Sequence, residues 1–300
     1  MPTAHPLREA SGVVGRFAPT PSGPLHFGSL LAALASWLDA RARGGRWLLR
    51  LEDIDPPRCP PGASDTIRAQ LEAFGLEHDG EIRFQRDQGE LYRLTLERLI
   101  ELGLAYPCSC SRKAWQSHTV YPGWCREGPR HPERDCAWRL RTDLGPDTLV
   151  WQDRRLGEQR WLLAPLGDVV LKRRDGLWAY QLAVVADDAE QGVTDVVRGV
   201  DLVDNTPWQL HIQKALGFSE PHYLHLPLAL AENGQKLSKQ NLAEALPVHE
   251  SAVRALLDEA LGLLGQKRPG PFTPVREQLA AAVLNWDVAR LPQGNLRRSC

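Results

Sequence analysis

No stretch of the 300 residues approaches the ~18 uninterrupted apolar residues that a membrane helix needs. Met1 to Ser11 is polar and charged and lacks the apolar centre of a secretory leader, so a cytoplasmic protein without a membrane partner is expected. An excess of one charge is also missing. The 36 Lys and Arg against 37 Asp and Glu leave a net charge of -1, which excludes nucleic-acid binding through a whole-molecule field but allows a local basic face. Cysteine is sparse, six residues in all, and in a chain without a leader these do not suggest a disulfide framework. Tandem repeats and low-complexity tracts are absent. What is present is ordinary for a globular chain, 43% hydrophobic and 24% charged, and long enough for one large domain with insertions or two modest ones.

The cysteines are unevenly spread. Cys108, Cys110, Cys125 and Cys136 share one short region, and in a reducing compartment such clustering suggests a metal site. Cys108, Cys110 and Cys125 offer three soft ligands where zinc normally takes four, and by chemistry alone Cys136, His118 or His131 supplies the fourth. The stretch from Cys108 to Arg134 is rich in Pro, Gly and Arg and has no periodicity, as expected of an insertion ordered by something other than its own packing.

Elsewhere the pattern is that of an α/β protein. Val13 to Ala18 is β-prone and runs into the dense turn signal Pro19-Thr20-Pro21-Ser22-Gly23-Pro24. Leu30 to Ala40 reads as an apolar helix stopped by Gly44-Gly45, and Arg46 to Leu51 as a second strand with Glu52, Asp53 and Asp55 just past its end. Strand, loop, buried helix and strand make a βαβ unit, which implies a parallel sheet. Helices are expected at Ser64 to Phe74, Glu90 to Leu102, Thr206 to Leu216, Val253 to Leu264 and Val275 to Asn285. Short β-like stretches are expected between Trp138 and Trp178, strands at Tyr180 to Ala186 and Asp195 to Val200, and a frayed tail over roughly the last ten residues.

Two segments carry chemistry. His26-Phe27-Gly28-Ser29 lies between the first strand and its helix, where unpaired N–H groups and the helix dipole attract phosphate. Gly28 lets a nucleotide approach the backbone, and His26 can donate to phosphate oxygens as charge develops. Far downstream, Gly234-Gln235-Lys236-Leu237-Ser238-Lys239-Gln240 places two lysines three apart on a loop, both able to reach one polyphosphate.

Together these segments resemble the "HIGH" and "KMSKS" signatures of class I aminoacyl-tRNA synthetases. Arg16-Phe17-Ala18-Pro19-Thr20-Pro21-Ser22-Gly23, Arg50-Leu51-Glu52-Asp53-Ile54-Asp55, Tyr180-Gln181-Leu182-Ala183-Val184-Val185-Ala186-Asp187-Asp188 and Arg198-Gly199-Val200-Asp201-Leu202 resemble the glutamyl branch. The motifs run in order from about Gly15 to Leu242. The second histidine of "HIGH" is Ser29 here, and Leu237 and Gln240 replace two positions of "KMSKS". Fewer than 60 residues follow Asn241, where a full glutamyl-tRNA synthetase continues into a large anticodon-binding region. With Glu52 to Arg58 and Lys236 to Asn241, this points to the glutamyl-Q tRNA(Asp) synthetase family.

The resemblance implies a Rossmann-like catalytic domain of parallel-sheet type. Its first half covers 12–105 and its second half, with the KMSKS-like loop, 179–242; a zinc-containing, acceptor-type insertion occupies 106–178 and a short helical region 243–300. It implies activation of L-glutamate with ATP and Mg²⁺ without tRNA, then transfer of the glutamate to queuosine in tRNA(Asp). The catalytic groups would be His26, Lys236 and Lys239, and ATP would meet His26, Gly28, Ser29 and Lys239. Arg16, at the end of the first strand, suits bidentate carboxylate recognition. The resemblance adds Phe17, Ala18, Pro19, Thr20, Glu52, Tyr180 and Arg198 to the glutamate site, with Glu52 suited to the substrate ammonium. It also names Tyr121 as the fourth ligand of one structural Zn²⁺ beside Cys108, Cys110 and Cys125, and a monomer is expected. Arg126, Arg130, Arg134, Lys172, Arg173 and Arg174 are candidates for RNA phosphates. Three other readings compete: a truncated glutamyl-tRNA synthetase charging the tRNA 3′ end, another adenylyltransferase of the same fold, and a catalytically dead zinc-containing RNA-binding module.

Overall fold

The computed structural model describes residues 12–230 and 244–297. The expected βαβ unit is present as β1 (Val14–Phe17), α1 (Phe27–Ala42) and β2 (Arg46–Leu51). Gly15 allows α1 to pack tightly on β1, since a Cβ there would stand 3.2 Å from that of Ala40. After α2 (Ala63–Ala73), β3 (Arg83–Phe84) and α3 (Gly89–Glu101), the chain leaves the main sheet through β4 (Ala105–Cys108). It returns with β5 (Ala137–Leu140), β6 (Thr148–Asp153), β7 (Gly157–Leu162) and β8 (Val170–Lys172). Then come α4 (Tyr180–Glu190), β9 (Asp195–Gly199), α5 (Thr206–Leu216), β10 (His222–Leu226), β11 (Ala229–Leu230), α6 (Glu250–Leu263), α7 (Val275–Asn285) and β12 (Leu296–Arg297).

The main sheet has seven strands in the order β3-β2-β1-β9-β10-β6-β7, parallel except for the antiparallel β6–β7 hairpin at one edge. That hairpin lies within 106–178 yet pairs with β10, whereas β4, β5 and β8 form a separate three-stranded sheet. Neighbouring residues of one strand serve opposite faces. Leu49, Val197 and Leu224 join a core with α1 and the C-terminal helices, while Leu48, Val196 and Tyr223 join a core that includes Leu210 of α5. Both faces of the sheet are therefore covered, as a parallel sheet requires. Helix α1 has ten of its sixteen residues buried, which suits its place between the sheet and α6 and α7.

Two local expectations need correction. Tyr180 to Ala186 is the first part of helix α4 and not a strand. Its residues from Gln181 to Asp188 are all buried, so the apolar run carried no polar face from which a helical period could be read. The tail is also more ordered than expected: Leu296 is buried, its N–H donates to Leu228 O at 2.8 Å, and β12 pairs in parallel with β11. No helix of the described residues is long and apolar enough to cross a membrane.

Candidate active site

In the sheet order, β1 is flanked by β2 on one side and β9 on the other, so the chain connections reverse direction at β1. In open α/β sheets such a switch point leaves a crevice beyond the carboxyl ends of the strands. Here it opens as a cavity of about 690 Å³. Arg16, Phe17, Ala18, Pro19 and Thr20 line it from the end of β1, Glu52 from the end of β2, and Arg198 and Gly199 from the end of β9. His26, Gly28 and Ser29 line it from the start of α1, and Tyr180 from the first residue of α4. The glutamate-contact and phosphate-loop residues singled out above thus meet in one cavity, apart from the lysines. Lys236 and Lys239 fall outside the described residues. The described chain just beyond them bridges back to the start of α1, with Ala245 paired to His26 and Leu246 N–H donating to Leu25 O at 2.8 Å.

The end of the cavity beside α1 follows from helix capping. His26 is the N-cap of α1, and its Nδ1 accepts from Ser29 N–H at 3.3 Å. A neutral imidazole accepting at Nδ1 carries its proton on Nε2, so the ring faces other groups as a donor there. The first turn of α1 holds no acidic residue, so no carboxylate of that turn offsets the positive helix end, a setting that favours an anion.

The other end of the cavity rests on buried charges. Arg16 is 4% exposed and donates through Nε to Asp188 at 3.2 Å. Arg50, fully buried in the neighbouring strand β2, bonds Asp188 at 2.8 Å through Nη1. Its Nη2 has no hydrogen-bond partner among the described residues and lies 3.8 Å from Glu52 Oε1, an ion pair without a hydrogen bond. Burial is the largest influence on Glu52, and although Arg50 and Arg16 oppose it, the carboxyl is pushed up to about 7. Arg16 and Arg50 outweigh burial at Asp188 and hold its carboxyl below the usual range. Asp187 receives Tyr92 Oη at 2.8 Å and Gln85 Nε2 at 2.7 Å, and it lies 3.8 Å from Arg50 Nε. Arg198 is bound differently, to Gln209, Thr206 and His225, without a carboxylate ion pair among the described residues. Sequence reasoning gave no role to Arg50, Asp187 or Asp188. The alternation of β2, which puts Arg50 and Glu52 on one side, was an available signal for the first.

A second polar centre lies in the segment after β4. The sulfur atoms of Cys108, Cys110 and Cys125 lie within 4.8 Å of one another. Tyr121 is buried with them: its hydroxyl is 3.6 Å from Cys110 Sγ and accepts from Cys125 N–H at 3.0 Å. Burial pushes the Cys125 thiol up, but hydrogen bonds from Tyr121 and from the N–H groups of Arg130 and Ser109 outweigh it and hold the thiol below its usual value. A tetrahedral zinc with Zn–S of about 2.3 Å requires sulfurs about 3.8 Å apart, and the three cysteines fit it with only local adjustment. The other candidate ligands make different contacts. Cys136 donates to Arg134 O at 3.5 Å, His118 is exposed and edge-on to Trp124, and His131 pairs with Glu133 at 3.6 Å. Arg139 stacks 4.1 Å from the Tyr121 ring centre and donates to Asp168 O at 2.7 Å.

The buried Asp168 joins this centre to its sheet, accepting from Tyr106, from Arg126 at 2.7 and 2.8 Å, and from Thr142. Arg126 is therefore committed to packing. Arg130 lies over Trp124 at 4.1 Å, Arg134 pairs with Glu133, Lys172 lies over Trp178 at 4.4 Å, and Arg174 donates to Ser109 O. Arg173, with Arg58, lines the cavity and lies 3.5 Å from Asp55.

The family described as tRNA synthetases class I (E and Q), catalytic domain, matches residues 12–119 and 126–265. The Glutamyl-Q tRNA(Asp) synthetase of Chromobacterium violaceum is 52% identical, over 94% of this chain and 96% of that protein. The protein of the same name from Pseudomonas aeruginosa is 50% identical, again over 94% of this chain and 96% of its own. Among solved structures, the glutamate-tRNA synthetase of Elizabethkingia anophelis superposes with a TM-score of 0.81 at 22% identity, covering 96% of this chain and 68% of that one. At that identity the likeness speaks for the fold alone.

Proposed function

The chain belongs to the glutamyl-Q tRNA(Asp) synthetase family, within the class I synthetases, and from that membership and the cavity geometry we propose that it activates glutamate with ATP and transfers it to queuosine in tRNA(Asp). The observation that carries the reading is the meeting, in one cavity, of a helix N-terminus whose first turn holds no acidic residue with two buried arginines, Arg16 and Arg198, and the carboxyl of Glu52. Phosphate suits the first. A substrate with two carboxylates and one ammonium suits the second. Arg16 keeps its terminal nitrogens without protein hydrogen bonds among the described residues, and Arg198 is oriented by neutral groups, so each can face one carboxylate. Glu52 faces the ammonium, with Tyr180 beside it.

Activation is an in-line displacement. An oxygen of the substrate α-carboxylate attacks the α-phosphorus of ATP, the bond to the bridging oxygen breaks, and pyrophosphate leaves with that electron pair. No protein nucleophile takes part. The chain contributes position and charge: His26 Nε2–H and the N–H groups of α1 meet the phosphates, and Lys236 and Lys239 add positive charge to them. Mg²⁺ entering with ATP supplies neutralisation of phosphate charge. In the second half-reaction a hydroxyl oxygen of the queuosine cyclopentenediol attacks the activated carbonyl and gives up its proton, and the bond from that carbon to the phosphate oxygen breaks as AMP leaves with the electron pair.

Structural zinc belongs to this proposal, with Cys108, Cys110, Cys125 and Tyr121 holding it, one ion per chain. So do a monomeric state and the division at 105, 178 and 242.

The acceptor is tested by supplying tRNA(Asp) with and without queuosine and measuring incorporated glutamate. We expect transfer to the modified RNA alone. Equal glutamylation of both would overturn the acceptor assignment and favour charging of the tRNA 3′ end.

A further inference from the structure

Arg198 differs from the other buried arginines of the site in how it is held. Its Nε donates to His225 Nε2 at 3.1 Å, Nη1 to Gln209 Oε1 at 2.7 Å, and Nη2 to Thr206 Oγ1 at 2.8 Å. All three acceptors are uncharged side chains. His225, in β10, is fully buried, and its Nδ1 lies 2.6 Å from Asp153 Oδ2. Asp153 ends β6 and is fixed in turn: Oδ1 accepts from the N–H groups of Arg155 and Leu156 at 3.0 and 2.9 Å, and Oδ2 from His225 N–H at 3.2 Å.

The proton on the ring follows from its partners. A guanidinium has only donors, so the Nε2 that faces it must be a bare acceptor, and the single proton of the neutral ring sits on Nδ1 and is donated to Asp153. Burial, with Arg198 and Arg155 adding to it, keeps the ring below its ordinary pKa against the pull of Asp153. Tyr223 stacks on the ring at 5.9 Å, and Thr206 Oγ1 lies 3.4 Å from Nε2.

We propose that Asp153 and His225 form a relay that orients the Arg198 guanidinium without neutralising it, making His225 a positioning residue for the substrate carboxylate. A carboxylate in place of the imidazole would hold Arg198 equally well but would cancel its charge, as Asp188 does in part for Arg16. The neutral ring fixes the fork, keeps the Asp153 charge one ring away, and leaves the cation for a ligand. This rests on the reading of Arg198 as a glutamate contact.

Two variants separate positioning from mere packing. His225→Asn keeps a donor for Asp153 and removes the acceptor for Arg198, whereas His225→Gln restores an acceptor near the Nε2 position. In ATP–pyrophosphate exchange without RNA, His225→Asn should raise the glutamate KM about tenfold, leave the ATP KM within about twofold, and be largely rescued in His225→Gln. A wild-type glutamate KM in His225→Asn, or equal rises in both KM values, would overturn the proposal. A second measurement does not depend on glutamate: ¹⁵N NMR of the imidazole near neutral pH should show Nδ1 protonated and Nε2 bare, with Nε2 shifting in Arg198→Lys. An Nε2–H ring overturns the relay whatever the kinetics. A correct tautomer with an unchanged glutamate KM in Arg198→Lys overturns the glutamate contact instead.

Discussion

At the residue scale, Glu52 is the group proposed to face the substrate ammonium. Its carboxyl is pushed up to about 7 because the end of β2 buries it and Asp188 and Asp187 add to that, together outweighing the pull of Arg50 and Arg16. An ammonium ligand favours the ionised form, so binding must displace a proton whenever the empty site holds one. The glutamate KM should therefore rise about tenfold as pH falls from 8 to 6, while the ATP KM stays nearly level. The same shift costs stability. The folded-state pKa lies above the ordinary value of 4.5, so the folded protein binds more protons between the two, and stability declines as pH rises through that window. Glu52→Gln should be more stable near pH 8 by on the order of 1–3 kcal/mol, with the gain vanishing toward pH 4, and should bind glutamate poorly at every pH. Thermal melts and exchange kinetics across pH check both, and a pH-independent glutamate KM in the parent protein would contradict the assignment.

At the scale of elements, the segment between β4 and β5 contains little regular structure, one short 3-10 turn from Arg112 to Trp115. Its order rests on Cys108, Cys110, Tyr121 and Cys125 and on the Asp168 hub behind them. Protein purified without added zinc should contain about one equivalent, and chelation should expose 109–134 to protease while the main sheet stays folded. Less than about one-tenth of an equivalent, or an unchanged cleavage pattern after chelation, would contradict a structural zinc. The same segment shows what sequence could reveal. C-x-C followed by Cys125 marked a candidate metal centre, but residue types alone allowed Cys136, His118 and His131 as partners; Tyr121 came from the resemblance, and the folded chain brings its hydroxyl to the sulfurs. Tyr180 to Ala186 was misread for a related reason: burial on all sides erases the polar face that separates helix from strand.

At the scale of the whole molecule, the sheet order places the ends of β1, β2 and β9 around one crevice, although 172 positions separate Arg16 from Asp188. The βαβ start was legible because α1 is apolar, stopped by glycines and preceded by a dense turn. The crevice residues were legible chiefly as motifs. Asp153 was invisible, because a single aspartate at a strand end reads as a turn and its partner His225 lies 72 positions away. The pairing of β6 with β10 was equally hidden, since nothing local to either strand encodes it. The central claim is that this cavity activates glutamate without help from RNA, and ATP–pyrophosphate exchange with glutamate as the sole amino acid and no tRNA present tests it most directly. Sustained exchange that requires glutamate is expected; exchange appearing only on addition of tRNA, or supported by a different amino acid in preference to glutamate, would contradict glutamate activation by this cavity alone.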